Sequence, residues 1–252
     1  MKHLFFLFFA LLCSSPGLYP QQVSPPIVAE TIRFSSGDGI QVTADLYMTS
    51  DTKAPFIILY HQAGYSRGEY LEIAPKLNAM GFNCMAVDQR SGKTVNGIEN
   101  ETHNAALAKN LPTEYLDALT DIEAAYLYVK HGIKPEKIIL WGSSYSAALM
   151  FYMGSEHHNN LSGVLAFSPA GYFKVNGKEI KSFASRVTAP VFVSSAKSEY
   201  PKWKSIYEAV RSDKFSYLPE NEGKHGSKAL WSDNPGYELY WKAVASFLNS
   251  LN

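Results

Sequence analysis

Residues 138–149 read IILWGSSYSAAL, and the reading of this stretch decides what the rest of the chain can be. Three aliphatic residues and a tryptophan run into Gly142-Ser143-Ser144-Tyr145-Ser146, and small, helix-favouring residues follow. Gly and Ser are ordinary loop material, so the stretch alone permits a plain connection. It equally permits a tight strand–turn–helix that raises Ser144 at its bend. In that motif the residues two before and two after the serine must be small, as Gly142 and Ser146 are.

The surroundings favour the bend. Short apolar runs recur at 56–60 (FIILY), 84–87 (CMAV), 138–141 (IILW), 164–167 (VLAF) and 191–193 (VFV). Runs of this kind suit strands buried on both faces of a parallel sheet. Helical patterns separate them. Residues 69–80 carry Leu71, Ile73, Ala74, Leu77 and Met80 and end at Gly81. Residues 113–131 open at a Thr113 cap, carry Leu116, Leu119, Ile122 and Leu127, and stop at Gly132. A short amphipathic helix is predicted over 202–211, and a last one opens at Pro235 with Leu239, Val244, Phe247, Leu248 and Leu251 on one broad face. Alternating strands and helices imply right-handed βαβ units, hence an α/β fold of three layers with helices on both faces of a mostly parallel sheet. Ahead of it, alternation in Thr31–Phe34 and Gln41–Tyr47, joined through SSGDG, predicts an N-terminal antiparallel hairpin. No linker interrupts 23–252, which reads as a single domain.

The first 22 residues read differently. Lys2 precedes the apolar run Leu4–Cys13, which is too short to span a membrane, and SSPG and PQQ follow it. This is the pattern of a secretory signal peptide cleaved near Ser15–Gln22, so the expected location is periplasmic or secreted. Lipoprotein anchoring at Cys13 is disfavoured by bulky Leu12 before it. With Cys13 removed, Cys84 is the single cysteine, set in the apolar GFNCMAVD, where packing is its expected role. No mature segment reaches transmembrane length. A net charge of zero with no Lys/Arg-rich run gives no footprint for nucleic acid or anionic lipid. No phosphate-binding Gly loop, dinucleotide fingerprint or Cys/His cluster is present, so neither metal nor cofactor is implied.

A serine nucleophile needs a base and an acid, and in a strand–turn–helix context they follow it as Asp/Glu, then His. After Ser144 the histidines are His157, His158 and His225. His157 and His158 stand in SEHHNN beyond the next helix and read as a solvated pair. His225 stands in NEGKHGSKAL, a Gly-flanked loop after the last strand FSYLP, from which a base can reach the bend. APVFVSSAKSEY offers Glu199 after the penultimate strand. AFSPAGYF, after the strand before it, offers no carboxylate, and Asp213, Glu220 and Glu222 are less suitably placed. The loop after the first parallel strand, ILYHQAGYSRGEY, brings small Ala63 and flexible Gly64 toward the bend. Backbone N–H groups there, with that of Tyr145, are candidate donors to a tetrahedral oxyanion. His61, at a strand end, reads as a loop-positioning residue.

Taken together, YHQAG, AVDQRSG, WGSSYS, PVFVSSAKSE and GKHG resemble the α/β-hydrolase superfamily, in particular small dienelactone-hydrolase-like or acyl-CoA-thioesterase-like (BAAT) members. The resemblance runs from about residue 30 to 250. It implies Ser144 as nucleophile, His225 as general base, Glu199 as orienting acid, and Ala63 and Tyr145 as oxyanion donors, with a scaffolding role for Asp88 and Arg90. Two positions depart from the pattern. Ser146 replaces the usual Gly and would crowd the bend slightly, and Gln62 stands where many members have Gly, leaving Gln62 or Ala63 as the donor.

Residues 170–188 are too few for an inserted helical cap, and QRSGKTVNGIENETHNAALAKN (89–110) is expected to border the site as a long polar loop. Tyr65, Tyr172, Trp203 and Trp231 are candidates to line the substrate pocket. An open site of this kind favours short-chain or soluble small-molecule esters. A peptidase of the same fold, for which neither a propeller nor a peptide-end anchor is visible, and a non-catalytic binding relative are the alternatives.

Overall fold

The computed structural model describes residues 29–251, so the expected signal segment and Cys13 lie outside the described residues. Its frame is an eight-stranded sheet built from β1 (Glu30–Ser35), β2 (Gln41–Tyr47), β3 (Phe56–Tyr60), β4 (Asn83–Val87), β5 (Ile138–Ser143), β6 (Gly163–Phe167), β7 (Val191–Ser194) and β8 (Lys214–Tyr217). The spatial order is β1-β2-β4-β3-β5-β6-β7-β8. The first two strands form the expected hairpin, β2 runs antiparallel to β4, and every later pairing is parallel.

Every residue of β3, β4, β5, β6 and β7 is buried, which explains why these strands read as unbroken apolar runs. Successive side chains go to opposite faces. Phe56, Ile58 and Tyr60 join Leu140 and Val164 in a core with α3 (Leu119–Tyr128), α4 (Tyr145–Glu156), α5 (Ile180–Ala184) and α6 (Tyr200–Ala209). Ile57, Leu59, Ile139, Trp141, Leu165 and Phe192 join α1 (Ile73–Ala79) and α7 (Tyr237–Asn249) in a second core on the other side. Two cores flanking one sheet make the three-layer fold. Phe167 stacks on Trp141 at 4.9 Å in the second core, and its burial contributes about 1.5–3 kcal/mol.

Three expectations about the elements change. The helix expected over 69–80 is a 3₁₀ turn, Arg67–Tyr70, followed by α1 from Ile73. The predicted helix over 113–131 begins at Leu119, not at Thr113. Tyr115 is used instead to stack on Tyr145 at 4.8 Å, which holds residues 113–118 off the helix. The polar stretch 89–110 is only partly loop, since it contains α2 (Glu101–Ala108), capped by the Asn100 side chain accepting from His103 N–H at 2.8 Å. Two arginines pin this stretch. Arg67 reaches Asp88 at 2.6 Å, and Arg90 reaches Asp121 at 2.7 Å and Asp38 at 2.6 Å, which gives Asp88 and Arg90 the expected scaffolding geometry.

Candidate active site

The site lies at the C-terminal ends of the parallel strands, where β5 turns into α4. Ser144 sits at that turn with φ 60° and ψ −118°, a conformation that costs an L-residue about 1–3 kcal/mol. The surrounding bonds determine it. Ser144 N–H donates to Phe167 O at 2.7 Å, and Ala148 N–H donates to Ser144 O at 3.2 Å. Gly142 has no substitute here, because a Cβ would come within 2.6 Å of the Ser146 carbonyl and Ala147 N. Ser146 does not crowd the turn. Its hydroxyl accepts from Ser143 N–H at 2.9 Å and lies 2.8 and 3.0 Å from the carbonyls of Tyr60 and His61, so it ties the bend to the end of β3.

Glu199 and His225 come together as expected. Glu199 closes the short 3₁₀ turn Lys197–Glu199 after β7, and its Oε1 is 2.5 Å from His225 Nδ1. Its Oε2 accepts from Ser168 Oγ at 2.6 Å and from Ala196 N–H at 3.3 Å. Burial alone would raise this carboxyl, but the bonds from His225 and Ser168 outweigh it and hold it below the ordinary carboxylate range. The histidine loop is fixed by its backbone. Gly226 N–H donates to Ser168 Oγ at 2.8 Å, Ser227 N–H donates to Ser143 Oγ at 2.9 Å, and Trp141 Nε1 donates to Ser227 Oγ at 2.9 Å. Gly226 has φ 70°, and a Cβ there would meet Ser143 Oγ at 2.5 Å and Gln62 Oε1 at 2.6 Å. Only glycine fits where this loop crosses the bend.

The Ser144 hydroxyl is turned elsewhere. It lies 3.5 Å from Tyr172 OH, which itself donates to Ser168 O at 3.1 Å, and among the described residues it makes no hydrogen bond to His225. Ser144 is 8% exposed beside the open Tyr172 at 40%. Its neighbour Ser143 is fully buried and donates to Glu69 Oε1 at 2.7 Å.

Of the two expected oxyanion donors after β3, Gln62 is excluded. Its N–H is committed to Glu69 Oε2 at 2.8 Å. Among the described residues the N–H groups of Ala63 and of Tyr145, the latter at the open start of α4, have no partner. His61 is fully buried, with Nδ1 at 2.8 Å from Gln62 O and Nε2 accepting from Gln89 N–H at 3.0 Å. Burial lowers it to about 4, so it is a neutral brace for the loop.

The pocket residues divide. Tyr172 adjoins Ser144, and Tyr65 and Trp231 are half-buried and stack at 6.2 Å next to the Ala63–Gly64 turn. Trp203 does not line the site. It is fully buried on the inner face of α6, where its indole donates to Ser195 Oγ at 2.8 Å. A cavity of about 700 Å³ is lined by Phe34, Leu119, Leu127, Tyr128 and Tyr152. It opens at the far end of α4, eight residues and more from Ser144 at about 1.5 Å per residue, and has no part in this geometry.

Ser168 and Glu69 were not anticipated. Ser168 follows β6 directly and has φ 54°, and its one hydroxyl bridges Glu199 and the histidine loop. Its signal was the serine at the end of a buried strand in AFSP. Ser168→Ala is expected to lower kcat about tenfold, the equivalent of roughly 1.4 kcal/mol, as measured on p-nitrophenyl butyrate.

Among the described residues no group of His, Cys, Asp and Glu is assembled to hold a metal, and no helix is long and apolar enough to cross a membrane. A family model described as serine aminopeptidase, S33, matches residues 51–217. Among solved structures the chain is similar to an esterase of Pyrococcus furiosus, with 14% identity, TM-score 0.69, and 94% of this chain and 97% of that one covered. It is similar to a dienelactone hydrolase of Anabaena variabilis, at 13%, TM-score 0.68 and coverages of 88% and 97%. It also resembles an acylaminoacyl peptidase of Pyrococcus horikoshii at 13%, TM-score 0.64, covering 91% of this chain and 42% of that one. At such identities these likenesses speak for the fold. No curated protein matches the sequence.

Proposed function

The chain belongs to the serine aminopeptidase S33 family of α/β hydrolases, and from that premise we propose that it is a serine esterase acting on short-chain or soluble carboxylic esters through an acyl-enzyme. The observation that carries the proposal is the 2.5 Å Glu199–His225 pair beside a strained Ser144 with two unclaimed N–H groups near it.

In this reading the Ser144 hydroxyl turns from Tyr172 to His225 Nε2, which takes its proton as Oγ bonds to the ester carbonyl carbon. The developing oxyanion accepts from Ala63 N–H and Tyr145 N–H. His225 then gives the proton to the leaving alcohol as the C–O bond breaks, and water repeats the sequence to release the acid. Glu199 keeps the other imidazole proton on Nδ1 and stabilises the imidazolium.

The choice of ester over peptide has a physical basis. A free peptide N-terminus is an ammonium and calls for a carboxylate near the nucleophile. Both carboxylates adjoining the bend are already committed, Glu69 to Ser143 and Gln62, and Glu199 to His225 and Ser168.

The test is hydrolysis of p-nitrophenyl acetate, butyrate and dodecanoate against aminoacyl p-nitroanilides. The short esters are expected to be cleaved best, with anilide release near background. The reverse order would assign a peptidase. No hydrolysis and no reaction with a fluorophosphonate would leave a binding protein on the same fold.

A further inference from the structure

Glu69 is completely buried on the 3₁₀ turn Arg67–Tyr70, behind the bend and out of reach of substrate. It is not a stray surface carboxylate, because both its oxygens are used. Oε2 accepts from Gln62 N–H at 2.8 Å, and Gln62 immediately precedes the Ala63 donor. Oε1 accepts from Ser143 Oγ at 2.7 Å, and Ser143 immediately precedes Ser144. That same Ser143 oxygen accepts from Ser227 N–H at 2.9 Å, two residues after His225. Trp231 Nε1 binds the Glu69 carbonyl at 2.9 Å, closing the loop from the other side.

One carboxylate thus joins the three segments that must meet at the reacting carbon. We propose that Glu69 is a positioning residue of the hydrolytic reaction, an ionised carboxylate whose two bonds set the oxyanion segment, the bend and the histidine loop in a common register. The inference rests on the esterase reading and deepens it.

The ionised form is the one the geometry requires. A carboxylate accepts at both oxygens, as Gln62 N–H and Ser143 O–H demand. Protonated, Glu69 must donate from one of them. Ser143 would then have to receive that proton and give up the bond it now donates. Burial pushes the Glu69 carboxyl up to about 7, an effect that the bonds from Gln62 and Ser143 and the charges of His225 and Lys228 offset only in part. Tyr70 on its own turn and Tyr145 on α4 also face it, and both are buried phenols held far above the neutral range. The register therefore loosens as pH falls through about 7. The acid limb of activity in the wild type should therefore carry an inflection that Glu69→Gln lacks.

The experiment compares wild type, Glu69→Gln and Ser143→Ala. It measures kcat and KM on p-nitrophenyl butyrate from acid to alkaline pH, the rate of fluorophosphonate reaction, and thermal unfolding. Glu69→Gln is expected to lower kcat roughly 10²-fold with KM little changed, the scale of a misplacement near 1 Å, and to remove the Glu69 inflection from the acid limb. Ser143→Ala keeps the Gln62 bond and is expected to cost about tenfold in kcat. An acid limb unchanged between wild type and a folded Glu69→Gln protein overturns the inference, and so does kcat within twofold of wild type in that variant. If Glu69→Gln does not fold, Ser143→Ala decides, and kcat within twofold of wild type there overturns the inference. A wild type that neither cleaves esters nor reacts with fluorophosphonate overturns the esterase reading itself. A reactive wild type whose folded Glu69→Gln variant keeps its kcat and acid limb removes Glu69 alone.

Discussion

Replacing Ser144 by alanine is expected to lower turnover roughly 10⁶-fold, and His225→Ala to cost about as much, with the double variant no worse than either single one. The non-additivity is part of the expectation. Oγ is a useful nucleophile only while its proton has a destination, and the imidazole has no task once Oγ is gone. The fluorophosphonate adduct should map to Ser144. Ser143 is the nearest competitor in sequence, yet it is fully buried and held between Glu69 and Ser227 N–H. An adduct on Ser143, or a Ser144→Ala protein with near-full activity, would sink the assignment. Ser144→Gly serves as a control with opposite signs. It should be equally inactive, but about 1 kcal/mol more stable in thermal unfolding, because glycine accepts φ 60° without the Cβ penalty.

Glu199→Gln comes next in size, at roughly 10³–10⁴-fold in kcat with KM little changed. The amide keeps the volume but removes the charge that stabilises the imidazolium, and it tolerates the wrong tautomer. Asp213→Asn and Glu222→Gln, made in parallel, should each cost less than about tenfold, since neither touches His225. Glu222 braces the same turn from outside, through Ser198 Oγ, and glutamine retains an acceptor there. Collapse of activity in one of these two, with Glu199→Gln near normal, would reassign the acid. A second signature follows from the lowered Glu199 carboxyl. The stability it provides is present above the ordinary carboxylate range and is lost as pH falls through its depressed value, so the Glu199→Gln protein should unfold less steeply with acid.

How much of this was legible beforehand depends on what carried each feature. The buried strands were legible because burial on both faces leaves an uninterrupted apolar run, and IILW followed by small residues has few other uses. Glu199 and His225 were legible because the α/β-hydrolase fold places acid and then base after the nucleophile along the chain. Features that depend on which partner a group finds in space were not. Nothing local in GEY reports that Glu69 is enclosed by Gln62 and Ser143. The choice between Gln62 and Ala63 as donor turned on that same hidden carboxylate. Trp203 reads as a pocket candidate in the sequence, but α6 turns that face to the core, with Ile206 beside it. The start of α3 was misjudged because the stacking of Tyr115 on Tyr145 overrides a plausible Thr113 cap.

The backbone at Ser144 sets what a substitution there would relieve. Left to folding preferences, this position would be glycine, and the same holds for Ser168 at φ 54°. Both serines therefore carry a local backbone cost that a glycine would not. Glu69 adds to that burden, since a buried carboxyl raised to about 7 weakens the fold progressively as pH climbs from the ordinary carboxylate range through that value. Replacing Ser144 by glycine would relieve its backbone cost alone, whereas replacing Glu69 or Ser168 would also break the buried bonds they make to Gln62, Ser143, Glu199 and Gly226.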